Sequence, residues 1–271
     1  MATEERIVRF DLDLQVEAYR FNGIMQKFPN HFHDYYVIGF IEKGQRRLSC
    51  KNNDYVINTG DLVFFNPFDN HACEQIDHKT LDYRCLNIMP DIMRKVTEDI
   101  TGIAYLPSFK SPVVQNSEHT IVLQKLHQMI LNETPGFQKN ESFYFLMKQL
   151  IEAYSELPTE TYDEEYEMNI QIVCQYIQEH YKEKISLDDL AQMATINKYS
   201  LVRSFTRLKG ITPYRYLQTI RINEAKKLLE RGISPSDVAL KCGFADQSHF
   251  SNFFMEFIGL TPGQYQRIFI Q

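Results

Sequence analysis

Two groups of side chains in this 271-residue chain have types and spacings suited to chemistry. One lies near the start: His31 and His33, two residues apart, then His71 and Cys73, two residues apart, about forty residues later. Alternate residues of a strand point to the same side, so each pair is expected to share a face. Three imidazoles (His31, His33, His71) are a ligand set for Zn, Fe or Mn. The same residues with Cys73 equally suit contact with a small organic molecule. The other group lies near the end. Lys198, Tyr199, Val202 and Arg203 fall on the outward side of one expected helix, and Gln247, Ser248, Ser251 and Asn252 occupy the same positions 49 residues on. Arg can make two hydrogen bonds to guanine, and Asn or Gln two to adenine, so these residues are candidates for reading base edges. Arg203 is the strongest single one. Arg207 and Lys209, with Lys198, have the charge to touch phosphates.

The elements that must position this second group are written twice. Leu190–Tyr216 and Val238–Tyr265 align in register: Leu201 with Phe250, Phe205 with Phe254, Gly210 with Gly259, Pro213 with Pro262. Each of these offsets is 49, whereas Ala191 and Ala239 differ by 48, which places one extra residue in the second turn. Ser186 with Asp189, Asn197 and Asp246 are expected N-caps, and Thr212-Pro213, Ser234-Pro235 and Thr261-Pro262 mark helix starts. Gly210 and Gly259 stand where a helix ends in left-handed backbone. Leu201, Phe205 and Leu208, like Phe250, Phe254 and Phe257, are expected core. Pro213–Arg231 should form one helix, a stiff connector between two recognition helices that suits adjacent segments of one groove.

This stretch resembles the AraC-type transcriptional regulators. The residues that carry the resemblance are Arg203, Phe205, Gly210, Arg221, Ala225, Leu228-Leu229, the block Gly243–Ser251, Phe254, Gly259 and Thr261-Pro262. They span about the last hundred residues. The resemblance implies a duplicated helix-turn-helix module that binds promoter DNA. The second copy departs from the family pattern, with Asn252 in place of Arg and Met255 and Glu256 in place of basic residues, which implies weaker phosphate attraction there.

Upstream, Val37–Ile41 and Leu62–Phe65 are β-rich runs. Glu42-Lys43-Gly44, Asn52-Asn53-Asp54 and Thr59-Gly60-Asp61 supply turns. The His-x-His followed by Gly60-Asp61 and a later Pro67…His71 resembles a cupin barrel over roughly residues 21–88. A metal-binding cupin carries a Glu soon after its His pair, and Asp34–Gly39 contains none. No metal and no cofactor are therefore assigned; His31, His33 and His71 stay as the alternative ligand set. Arg46 and Arg47 are adjacent, so at most one faces inward, and solvated surface is the expectation for either. Two amphipathic helices follow, over His119–Glu133 and Glu141–Glu156, with Asn116-Ser117 and Asn140 as caps. They suit either a dimer interface or packing on their own sheet. The acidic, Pro-containing run Leu157–Tyr166 reads as a linker.

The expected fold class is α+β in two domains: a cupin-like β-barrel with trailing helices over 1–157, a linker over 158–166, and an all-α double helix-turn-helix over 167–271. The net charge of −6 divides unevenly. From Asn169 onward there are 13 basic and 9 acidic residues; before it, 16 and 26. An acidic sensor joined to a mildly basic module fits nucleic-acid binding by the latter. Five scattered cysteines without a CxxC pair fit reduced thiols, and no apolar run is long enough to span a bilayer. The expected protein is a cytoplasmic, ligand-responsive regulator and not an enzyme. Its expected partners are double-stranded promoter DNA, a small-molecule effector, a second copy of itself and RNA polymerase. The competing readings are a metal-dependent cupin enzyme with a helical appendix, and a helix-turn-helix module that binds protein.

Overall fold

The computed structural model describes residues 4–134, 136–156, 164–196 and 198–270; the side chains of residues 136, 137, 164–167, 198–200 and 203 also lie outside the description. The chain divides into two compact units, one of residues 1–27 with 33–159 and one of residues 28–32 with 160–271.

The strands run β1 (Glu5–Asp11), β2 (Val16–Ile24), β3 (Phe28–His31), β4 (Tyr36–Lys43), β5 (Gln45–Cys50), β6 (Asn53–Asn58), β7 (Leu62–Phe65), β8 (His71–Glu74) and β9 (Leu81–Ile88). Helix α1 (Pro90–Thr101), the short strands β10 (Ser108–Phe109) and β11 (Val113–Val114), helices α2 (His119–Leu131) and α3 (Gly136–Tyr154) and strand β12 (Ser155–Glu156) follow. One sheet has the order β1-β2-β9-β4-β7-β11, a second holds β8, β5 and β6 side by side, and β10 pairs with β12. The strands thus begin well before Phe21, and α1, which opens on Pro90, was not legible in the sequence.

Register explains which face of the large sheet the helices cover. Ala18, Leu86, Ile38 and Phe64 lie side by side across β2, β9, β4 and β7. Together with Val16, Tyr36 and Ile88 they form a core with Met93 and Val96 of α1, Leu123, Leu126 and Ile130 of α2, and Phe143, Leu146 and Leu150 of α3. The apolar stripes of α2 and α3 are therefore spent on their own sheet. Helix α3 starts at Gly136, so Asn140 lies inside it and caps nothing; at α2 the N-cap position is Glu118, which makes no side-chain cap bond, while Ser117 Oγ accepts from the His119 N–H at 3.2 Å. Lys139 ties α3 to the first turn: its buried ammonium lies 2.6 Å from Asp11 and 3.1 Å from Asp13.

The second unit is helical: α4 (Glu164–His180), α5 (Leu187–Met193), α6 (Lys198–Lys209), α7 (Pro213–Glu230), α8 (Pro235–Lys241), α9 (Gln247–Ile258) and α10 (Pro262–Gln266). The caps fall where the sequence places them. Ser186 and Asp189 form a reciprocal capping box, and Thr212, Ser234, Asp246 and Thr261 each accept a backbone N–H from the third residue on. The Asn197 cap, and most of the expected linker, lie outside the described residues. Gly210 and Gly259 both have positive φ at their helix ends. Starts at 187 and 235 against 198 and 247 place the extra residue between α8 and α9, as the offsets require.

Candidate nucleic-acid interface and effector face

Each helix-turn-helix copy separates an inner from an outer face. On α6, Leu201 and Phe205 are fully buried in a core with Ile170, Val173 and Ile177 of α4, Leu190 and Ala191 of α5 and Tyr216 of α7. Leu208 is a correction: it is 38% exposed, because it stands in the last turn, beyond the reach of α4 and α5. On α9, Phe250, Phe254 and Phe257 are buried, and Phe254 meets the Tyr265 ring edge-on at 5.5 Å. The outward side of α9 carries Gln247, Ser248 and Asn252, all exposed, and Ser251, partly exposed. On α6, Val202 is partly exposed, and Arg207 and Lys209 are exposed. The backbone of Lys198, Tyr199 and Arg203 is helical, and their side chains lie outside the described residues.

Three contacts that composition did not signal hold the two copies in one frame. Arg221 of α7 is buried, its guanidinium donating to the carbonyls of Tyr181 and Glu183 beyond α4 at 2.8 and 2.9 Å. Gly243, in the turn between α8 and α9, has φ +77°, and a Cβ there would meet the Lys182 carbonyl oxygen at 2.6 Å. The same short loop thus receives both the connector helix and the second turn. Arg215 of α7 bonds Glu256 of α9 at 2.9 Å and lies over the Phe257 ring at 4.3 Å. Glu256, the acidic departure in the second copy, therefore has a structural use.

In the first unit the face of the large sheet away from the helices mixes polar with apolar side chains. Glu17, Asn87, Val37 and Phe65 form one cross-strand row, and Tyr19, Cys85, Gly39 and Val63 the next. Asn87 donates to Glu17 at 3.1 Å and Cys85 Sγ lies 3.7 Å from Asn87 Oδ1. Burial pushes the Tyr19 and Tyr83 hydroxyls well above the ordinary phenol range. The Tyr83 hydroxyl occupies the space that Gly39 leaves empty, 2.7 Å from where a Cβ would stand. The signal for this face was present as period two: Glu17-x-Tyr19 and Tyr83-x-Cys85-x-Asn87 alternate with the apolar outer residues.

Phe65 carries this row to the second sheet, where its ring stacks on His71 at 3.8 Å and 10°. His71 approaches His33, ring centroids 5.0 Å apart, and His33 stacks on Tyr35 at 4.6 Å. Strand β3 ends at His31, so His33 lies just beyond it rather than two places along one strand. Burial lowers the His71 pKa to about 4, against the opposing effect of its bond to the Asp69 carbonyl. Cys73 pairs with Leu48 of the neighbouring β5, and burial raises its thiol to about 12. Arg46, expected at the surface, is buried and donates to the carbonyls of Ile24, Gln45 and Lys79, whereas Arg47 is exposed beside Glu74.

Residues 13–151 match the family model described as an AraC-like ligand binding domain, and residues 190–268 match a helix-turn-helix domain. The chain belongs to the AraC-type transcriptional regulators. It is 53% identical over 249 residues to an uncharacterized HTH-type transcriptional regulator, YbfI, of Bacillus subtilis strain 168, covering 92% of this chain and 90% of that one. It is 24% identical over 250 residues to the HTH-type transcriptional activator RhaS of Escherichia coli O139:H28, covering 87% and 86%. The fold matches apo ToxT of Vibrio cholerae with a TM-score of 0.56 at 17% identity, covering 96% of this chain and 99% of that chain. As in this family, a ligand-binding β-rich unit precedes a helix-turn-helix unit, and the protein is a ligand-responsive transcriptional regulator that binds DNA through two recognition helices. Among the described residues, no helix is long and apolar enough to cross a membrane.

Proposed function

We propose that this AraC-type regulator reads one asymmetric DNA site per protomer, with α6 and α9 as unlike heads on one frame. In the first head Lys198, Tyr199, Val202 and Arg203 face base edges, and Arg207 and Lys209 hold phosphates. In the second, Gln247, Ser248, Ser251 and Asn252 face base edges with little phosphate attraction of their own. The observation that carries this reading is the outward side of α9: polar, exposed and uncharged at Gln247, Ser248 and Asn252, while its aromatic side is buried. The regulatory domain spans 1–157 and the DNA-binding domain 167–271, joined by the acidic segment 158–166.

The effector is a small molecule received by the inner face of the β-rich unit: Glu17, Tyr19, Tyr83 and Asn87, together with Cys73, His33 and His71. ToxT of Vibrio cholerae, which shares the fold, has been solved with an unsaturated fatty acid bound. The protein acts in the cytoplasm as a homodimer, engages RNA polymerase at the promoter, and is not an enzyme. Fluorescence anisotropy of the full chain on promoter fragments from its own locus, across a salt series, tests the core of this reading. Affinity should fall steeply and linearly in log salt. Sequence-independent binding, or binding indifferent to salt, overturns it.

A further inference from the structure

We propose that the effector is a small organic cation, a protonated amine on an apolar body, whose ammonium group is held by Glu17 and Tyr19. This rests on the reading that the face of the large sheet away from the helices receives the effector, and it adds the sign of the effector's charge. Glu17 and Tyr19 both stand on β2, a strand of the large sheet within the first unit.

Strand register fixes the charge of that face. The two cross-strand rows that contain Glu17 and Tyr19 continue to Phe10 and Val8 of β1, and Glu17 is the one residue in them of a type that is charged at neutral pH. It is buried, and Asn87 Nδ2 donates to its Oε2 at 3.1 Å, which holds the carboxylate in place. In a low-dielectric interior a carboxylate attracts a charged donor far more strongly than a neutral one, and it repels an anion.

The basic side chains on this side of the unit are directed elsewhere. Arg6, in the next row, pairs with Glu4 and donates to Gln26 at 2.7 Å. Arg46 of β5 donates to the carbonyls of Ile24, Gln45 and Lys79, and Ile24 ends β2 whereas Glu17 stands near its start. His71, stacked on Phe65, is neutral at pH 7, because burial lowers its pKa to about 4.

Tyr19 supplies a second acceptor. Its hydroxyl is buried, stands close enough to Glu17 for the carboxylate to raise its pKa, and has no hydrogen-bond partner in good geometry. A buried hydroxyl in that state is costly, and a ligand N–H that reaches its oxygen relieves the cost. Ring surface lies beside it. Phe21 meets Tyr19 edge-on at 5.6 Å and already carries the Arg6 guanidinium 5.2 Å from its centroid, the geometry by which aromatic faces attract cations. Val37, Val63 and Phe65, in the same two rows, offer contact to an apolar body.

Calorimetric titration of the full-length protein with matched probes that differ in the polar group tests this: n-hexylamine, 1-hexanol and hexanoate, and cyclohexylamine, cyclohexanol and cyclohexanecarboxylate. At least one amine should bind saturably, and at least about tenfold more tightly than its alcohol and its carboxylate. Glu17→Gln, which keeps an acceptor for Asn87, should weaken that amine at least about tenfold, and Tyr19→Phe about fivefold. Circular dichroism checks the fold of both, and Tyr19→Phe carries the test if Glu17→Gln does not fold. An alcohol or carboxylate that binds as tightly as its amine overturns the cation, and loss of that binding in Tyr19→Phe would leave the effector face standing. Amine binding undiminished in the folded variants overturns the site. Absence of saturable binding by either amine overturns the proposal, while the DNA reading stands or falls by its own salt series.

Discussion

Arg203 and Asn252 occupy the same place in the two recognition helices, and the difference between them is a difference in what each can ask of DNA. A guanidinium offers a planar pair of donors; a carboxamide offers one donor and one acceptor. Arg203→Ala should cost about 1–3 kcal/mol on a specific site and relax preference at one base position. Competition binding across single-base variants of the site measures this, and an unchanged profile would remove Arg203 from readout. Lys209→Ala should instead weaken all sequences alike. Away from the DNA face, His127 is buried with Nε2 2.9 Å from the Tyr19 carbonyl, and desolvation lowers its pKa to about 4. Its folded pKa lies below the unfolded value of about 6.5. Its contribution to stability is therefore full above pH 6.5 and falls as the pH drops toward 4, by about 3 kcal/mol in the limit. Urea unfolding at pH 7 and pH 5 should show this loss, and His127→Gln, which keeps a donor for Tyr19, should remove that share of it.

At the scale of elements, the two helix-turn-helix copies repeat their punctuation and vary their outer faces. Asp246 caps α9 through the His249 N–H at 2.8 Å. Asp246→Ala should cost about 1 kcal/mol of unfolding free energy. Gly243 carries a heavier constraint, because its left-handed backbone and the Lys182 carbonyl both exclude a side chain. Gly243→Ala should destabilise the helical unit by about 1–3 kcal/mol and lower DNA affinity by displacing α9. Chemical denaturation of the two variants side by side distinguishes a lost cap from a blocked contact. Helix α7, 18 residues long, spans about 27 Å at 1.5 Å per residue. It buries Gln218, Thr219, Arg221, Asn223 and Lys226 along with its apolar residues, as befits a connector that both copies pack against.

For the whole molecule, charge is apportioned between the two heads. The first recognition helix has Lys198, Arg203, Arg207 and Lys209 and no acidic residue; the second has Glu256 and no Lys or Arg. Glu256 is held by Arg215, so neither is offered to phosphate as an isolated charge. Neutralising Arg207 and Lys209 together should lower the log-affinity against log-salt slope by about 2. Replacing Gln247 and Asn252 should leave that slope unchanged while altering base preference. Equal effects on the slope from both pairs would contradict unequal heads.

Local rules made the helical unit readable. Caps, Thr-Pro starts and glycine stops act within four residues of themselves, so Ser186, Thr212, Asp246 and Gly259 declared the helix ends, and the repeat multiplied the signal. The β-rich unit was less legible because its contacts join residues far apart in the chain. Sequence pointed to His31, His33 and His71 but placed the first two on one strand, whereas β3 stops at His31 and the loop carries His33 to His71. Glu17 and Asn87, seventy positions apart, meet only through strand register. Arg46 and Arg47 are indistinguishable by type, and pleating alone buries one and exposes the other. The sequence by itself determined the family, the duplicated frame and the difference in charge between α6 and α9. Tertiary structure decided which polar residues face inward and which histidines converge, because long-range pairing, not local propensity, fixes those neighbours.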